Sequence, residues 1–145
     1  METVHRYWVI VAARDHVMNG IKGGFRQANH GSARNLKRMH DGDGVVFYSP
    51  KGILEEPTPI RAFTAIGRVQ GDDVYQTTMT PDFKPFRRSV MFLDSHEAPI
   101  APLIQPLSFI KNKTNWGITF RFGFLEIQKD DFQKIAAQMG VEVTE

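Results

Sequence analysis

The 145-residue chain contains no cysteine. That excludes disulfide staples, thiolate metal sites and cysteine nucleophiles, and it suits a reducing compartment. Long apolar stretches are missing too. The longest, residues 7–13, falls far short of the roughly 20 residues that a membrane span needs. Residues 1–6 are polar and no small-residue cleavage site follows the apolar run, so no secretory leader is expected and the expected compartment is the cytoplasm. No glycine repeat, charge block or sustained heptad is present, which excludes collagen, a disordered tail and a long coiled coil. Nor is there much excess of one charge: 18 Lys+Arg against 16 Asp+Glu leave a formal net charge of +2. The remaining make-up, 41% hydrophobic and 23% charged, is that of a globular domain, expected as one unit over residues 1–145.

Signatures of catalysis are equally scarce. Gly20, Gly23 and Gly24 match neither standard phosphate-loop spacing. His5, His16, His30, His40 and His96 are scattered, without the close pair that a helix-borne metal site requires, so no metal is expected. Ser49 precedes Pro50 and lacks the flanking glycines of a nucleophile elbow. Glu55-Glu56, Asp72-Asp73 and Asp130-Asp131 fall in turns or at a helix start, where solvation and capping account for them. The expectation is a non-enzymatic chain that needs no cofactor.

What the sequence does contain is a set of apolar and aromatic runs. Residues 6–13 are, from Tyr7 on, continuously apolar and largely β-branched or aromatic, the pattern of a strand buried on both faces. Asp15 caps a short helix ending at Asn19-Gly20, and residues 25–31 lack a period and read as a loop. A helix from Ser32 to about Met39 follows, with Ala33 and Leu36 facing inward. Strands are expected at 45–49, stopped by Pro50, at 60–69, at 74–79 beyond a turn at 71–73, and at 87–93. Phe120, Phe122 and Phe124 alternate with Arg121 and Gly123, which predicts a strand to about Ile127. Phe132, Ile135, Ala136 and Met139 mark the inner face of a last helix, stopped by Gly140. Strands cluster without alternating helices. The predicted fold is therefore α+β, with a mixed, barrel-like sheet and flanking helices.

Two features point to binding. Between residues 14 and 38 stand Arg14, Lys22, Arg26, Arg34, Lys37 and Arg38 against the single acid Asp15. This is either a phosphate-contacting face or a solvated helix surface. Secondly, aromatic and amide or guanidinium side chains share three segments, 25–30, 82–88 and 116–124. Rings that stack on a planar heterocycle, with amides at its edge, make a base-binding pocket, and the alternative is that most of these rings are core.

The same segments resemble the EVE domain. The resemblance is carried by Tyr7-Trp8-Val9-Ile10, by Gly23-Gly24-Phe25 with Gln27-Ala28-Asn29-His30-Gly31, and by Phe47-Tyr48-Ser49-Pro50-Lys51. Phe63-Thr64-Ala65-Ile66-Gly67, Asp82-Phe83 with Pro85-Phe86-Arg87-Arg88, Phe109-Ile110, Asn115-Trp116-Gly117 and Phe120-Arg121-Phe122-Gly123 extend it. It covers almost the whole chain and implies a PUA-like fold and a relation to the YTH domain, which holds a methylated RNA base in an aromatic cage. The implied partner is a modified nucleobase in DNA or RNA. A free nucleoside or similar planar metabolite is the alternative, and no membrane is implied.

By position, Phe25 lies where the YTH-type pocket has its first cage aromatic. The loop 82–88 lies near the second, with Phe86 the better candidate and Phe83 the alternative. Those cages typically use tryptophan, so a methyladenine preference does not carry over. The resemblance also places Trp8, Gln27, Asn29, His30, Ser49, Pro50 and Arg121 around the cavity. It leaves Arg26, Arg34, Lys37, Arg38, Arg87 and Arg88 for the phosphate backbone.

Overall fold

A computed structural model of the chain describes residues 5–27, 34–52, 59–78, 81–82 and 86–142, with the backbone alone at residues 25–27. The apolar run near the N-terminus forms β1 (Tyr7–Val11), whose side chains alternate between two cores. Tyr7 and Val9 enter one and Trp8 and Ile10 the other. A strand buried on both faces belongs inside a sheet. Accordingly β1 lies between β3 (Gly44–Lys51), to which it is parallel, and β7 (Phe124–Ile127), to which it is antiparallel.

Parallel neighbours need a crossover. Here the chain crosses through helix α1 (Arg14–Gly23), the short strand β2 (Phe25–Gln27) and a 3-10 turn at Leu36–Arg38. Three further strands follow: β4 (Pro59–Gln76), β5 (Phe86–Phe92) and β6 (Ala98–Pro99). The sheet runs β2-β5-β4-β3-β1-β7, with β6 added to β4. Every pair except β1–β3 is antiparallel among the described residues. Helix α2 (Lys129–Gln138) buries Phe132, Ile135 and Ala136 against the Tyr7–Val9 face, joined by Met139, and Gly140 turns the chain away at φ 76°. The opposite face is covered by Val17 of α1 and by Leu36 and Met39. Among the described residues no helix is long and apolar enough to cross a membrane.

Several elements depart from their sequence-based expectation. Helix α1 runs a turn beyond Asn19-Gly20, because Gly20 is buried inside the helix and the left-handed stop is Gly24, at φ 68°. Its N-cap is Ala13, with no side-chain cap from Asp15. Residues 25–27 are a strand rather than a loop. The 32–39 helix reduces to one 3-10 turn among the described residues, and Ser32 and Ala33 lie outside them. Strand β4 does not break at 71–73. It bulges there, pairing Gln70 with Ser89 and then Val74 with Arg88. The aromatic alternation at 120–124 is not one strand. Phe120 ends a 3-10 helix (Trp116–Phe120), Gly123 turns at φ 78°, and β7 starts at Phe124. Phe120 is therefore core, whereas Phe122 is 89% exposed.

Strand β3 also continues past Pro50. Proline has no N–H to give the ladder, so it needs a bulge in a central strand. The register shifts between Ser49, opposite Ala62, and Lys51, opposite Pro59. Arg61, in that bulge, adopts φ 51°, a conformation rare for residues other than glycine.

Candidate functional site

The pairing of β2 with β5 brings two of the three aromatic segments side by side. Phe25 faces Ser89, Arg26 faces Arg88 and Gln27 faces Arg87 across the ladder. Phe86, one residue before Arg87, pairs on its other side with Gln76 of β4. Its ring is half-buried against the core that holds Trp8, Phe47 and Val90. The side chains of Phe25, Arg26 and Gln27, and all of Asn29, His30 and Phe83, lie outside the described residues. Arg87 is half-buried on β5.

Three of the residues expected at the site are placed in the interior instead. Trp8 is wholly buried. Its indole Nε1 donates to Asp43 Oδ2 at 2.9 Å, and its ring stacks on Phe124 at 5.0 Å between centroids. It supports the sheet from inside and presents no face to a ligand. Ser49 is equally buried, and its hydroxyl is paired with that of Thr64 at 2.8 Å.

Arg88, expected on the phosphate backbone, is also fully buried. Its Nη1 donates to the carbonyls of Leu36, at 2.7 Å, and Met39, at 2.5 Å, and its Nη2 donates to the Gly71 carbonyl at 2.6 Å. Burial pushes the guanidinium below its ordinary pKa, against the opposing pull of Asp72, Asp43, Asp73 and Asp41. Arginine remains charged in such a setting. The inward position follows from acceptors that other parts of the chain supply: the carbonyls at the two ends of the 36–39 turn and the bulge of β4.

This buried arginine nonetheless shapes the surface. By gripping Leu36 and Met39 it clamps the 36–39 turn against β5, and Lys37 and Arg38 of that turn are exposed, as is Arg34 just before it. The Arg38 guanidinium lies over the rings of Trp8 and Phe124, at 5.2 and 5.3 Å from their centroids. The turn that carries these basic residues is thus tied through Arg88 to β5, the strand that pairs with β2, while the Arg38 guanidinium itself reaches over β1 and β7. Arg121 and Pro50 are not part of this group. Arg121 is exposed in the turn that precedes β7, and Pro50 lines a separate pocket with Trp116 and Phe120.

Sequence reasoning missed Asp43. Its buried carboxylate accepts from the N–H of Arg6 at 3.0 Å and of His40 at 2.9 Å, besides Trp8. An acid between two glycines carries no signal of burial. The donors that satisfy it come from residues 6 and 8, at the start of the chain's first strand, and from His40. Among the described residues no group of three or more His, Asp or Glu side chains could hold a metal ion.

Comparison with known proteins agrees with this architecture. The EVE domain family model matches residues 6–138, and the chain belongs to that family. A UPF0310 protein of Mycobacterium avium is 48% identical over 132 residues, covering 91% of this chain and 96% of its own. The UPF0310 protein YdcG of Bacillus subtilis is 36% identical over 138 residues, covering 95% and 94%. Among solved structures, the YTH domain of Zygosaccharomyces rouxii MRB1, in complex with N6-methyladenosine RNA, superposes with a TM-score of 0.61 at 12% identity, covering 100% of this chain and 92% of that one. Protein Atu2648 of Agrobacterium tumefaciens gives 0.56 at 12% identity, covering 97% and 99%. The fold is thus the α+β, PUA-like fold of the YTH domains.

Proposed function

We propose that the chain is a non-enzymatic reader of a modified nucleobase in DNA or RNA. The base would enter at the β2–β5 edge, around which the Phe25 and Phe86 segments meet, with Gln27, Asn29 and His30 available to its polar edge. The exposed Arg34, Lys37 and Arg38 would meet the flanking phosphates. The observation that carries this reading is the pairing of β2 with β5. It sets the Phe25 and Phe86 segments on adjacent strands, beside a basic turn that Arg88 holds in place. Membership of the EVE family and a fold shared with a YTH domain solved on N6-methyladenosine RNA support it.

Calorimetric titration with modified and plain oligonucleotides, single-stranded and duplex, tests the reading. One modified strand should bind more tightly than its plain twin. Its affinity should fall as salt rises, because phosphate contacts release counterions. Phe25→Ala or Phe86→Ala should remove the preference for the modified base, since stacking contributes about 1–3 kcal/mol per base. Reversing Arg34 and Lys37 should weaken modified and plain strands alike. Salt-insensitive binding of a free modified nucleoside, with no gain from the strand, would instead make the protein a sensor of a small planar metabolite.

A further inference from the structure

The other face of the sheet holds a pocket of about 440 Å³, within the size range of small-molecule sites. Its walls Val11 and Tyr48 belong with the Tyr7–Val9 core, whereas Phe86 packs on the core of Trp8 and Phe47. The pocket and the Phe86 ring therefore lie on opposite sides of the strands. The floor is aromatic. Tyr48 and Phe120 stack at 4.0 Å and 14°, and Trp116 stands edge-on to Phe120 at 6.4 Å and 76°.

Thr114 and Asn115 contribute neutral donors and acceptors, Arg61 contributes a cation, and among the described residues no acid lines the cavity. Among the described residues no carboxylate pairs with Arg61. Burial pushes the Tyr48 phenol up to about 12, so the tyrosine adds no negative charge near neutral pH. Arg61 is brought here by the bulge that Pro50 imposes, at φ 51°, and strain of this kind tends to persist where a site depends on it.

The facing wall is built in advance. Asn112 Oδ1 accepts from the N–H groups of Thr114 at 3.1 Å and Asn115 at 2.8 Å. Lys113 Nζ donates to the carbonyls of Ile104, Gln105 and Leu107 at 2.9, 3.0 and 2.9 Å. A wall held by its own hydrogen bonds loses little freedom when a ligand enters.

We propose that this pocket is a second ligand site, which takes a planar aromatic or heteroaromatic ring bearing an acidic group. The ring lies against Trp116 and Pro50, and the acid pairs with the Arg61 guanidinium. A free nucleotide-like molecule and one nucleotide of a bound strand share this chemistry.

The chain has two tryptophans, and they separate the two faces. In isotope-labelled full-length protein the indole N–H resonance of Trp116, assigned with Trp116→Phe, reports on the pocket. That of Trp8, buried on Asp43, reports on the fold. Adenosine and cytidine 5′-monophosphates should move the Trp116 resonance and leave that of Trp8 in place. The corresponding nucleosides should bind about tenfold more weakly, as expected for the loss of a charged hydrogen bond. Arg61→Gln should abolish that difference while the Trp8 resonance stays put.

A short single-stranded oligonucleotide that binds more tightly than the free monophosphate, again through Arg61, assigns the pocket to a strand. Equal or weaker binding assigns it to a free molecule. Phe25→Ala should leave the monophosphate response unchanged, so failure of the base-reading edge and failure of this pocket are distinguishable. An unmoved Trp116 resonance at millimolar monophosphate, or a response that Arg61→Gln leaves intact, overturns the proposal.

Discussion

Arg88 and Arg61 carry the same guanidinium into opposite surroundings. Arg88, on β5, is sealed in the α1 side of the molecule and saturates three backbone carbonyls. Arg61, on β4, is exposed in a strained bulge at the mouth of an aromatic pocket, with no carboxylate beside it among the described residues. The α1 side has polar groups locked to one another: Arg88 to the turn and bulge, Asp43 to Trp8, Arg6 and His40. The other side has stacked rings with a cation left over. A buried charge is tolerable when local geometry surrounds it with acceptors, and it then serves architecture. A charge held out of such a network, against apolar walls, is available to a ligand.

The largest effect should come from removing the buried member of the pair. Arg88→Leu leaves the carbonyls of Leu36, Met39 and Gly71 without their donor, and the fold should lose about 3–5 kcal/mol. Urea unfolding at neutral pH measures it, and a loss below about 1 kcal/mol would show that the network is dispensable. Gly67 comes next. It lies where β4 and β5 approach so closely that an added Cβ would collide with the Met91 carbonyl oxygen. Gly67→Ala should cost about 1–3 kcal/mol through overpacking, seen as a lower Tm.

Tyr48 gives a smaller effect with a definite sign. Its folded-state pKa is raised to about 12 from an ordinary 10.0, chiefly by burial and against the pull of Arg61. The stability it contributes is complete below pH 10.0 and is lost as pH rises toward about 12, because the unfolded chain releases the proton first. Tyr48→Phe should flatten the fall of stability in that window, and unfolding curves collected at alkaline pH would show it. A fall that persists unchanged in the variant would assign it to another group. The smallest effect belongs to Arg61. Arg61→Gln should leave stability within about 0.5 kcal/mol, as usual for surface positions. A loss comparable to that of Arg88→Leu would mean that both arginines are architectural.

Periodicity and turn chemistry were enough to locate β1, β3, β5 and α2, because each is a run whose apolar spacing matches its own geometry. Trp8 and Phe124 show where that reasoning stops. Both sit in motifs rich in aromatics, but local spacing is the same for a ring in a core and a ring in a cage. Their stacking joins β1 to β7, segments more than a hundred residues apart. Pro50 read as a strand stop because its effect on a neighbouring strand is not local. The bulge it demands is made by Arg61. The pocket of Tyr48, Trp116 and Arg61 was not legible for the same reason. Its walls come from β1, β3, β4 and the 114–120 segment, and none of these carries a pattern that names the others.

The order of residues settles the α+β class, the doubly buried first strand, the amphipathic last helix and the family, since these rest on short-range spacing and on ordered motifs. The fate of each polar side chain is another matter. Arg88 lies 52 residues from Leu36 and 49 from Met39, yet those carbonyls turn a surface-type residue into an interior one. Burial of a charge depends on partners that chain folding delivers from far away, and no local sequence pattern records which of them will arrive.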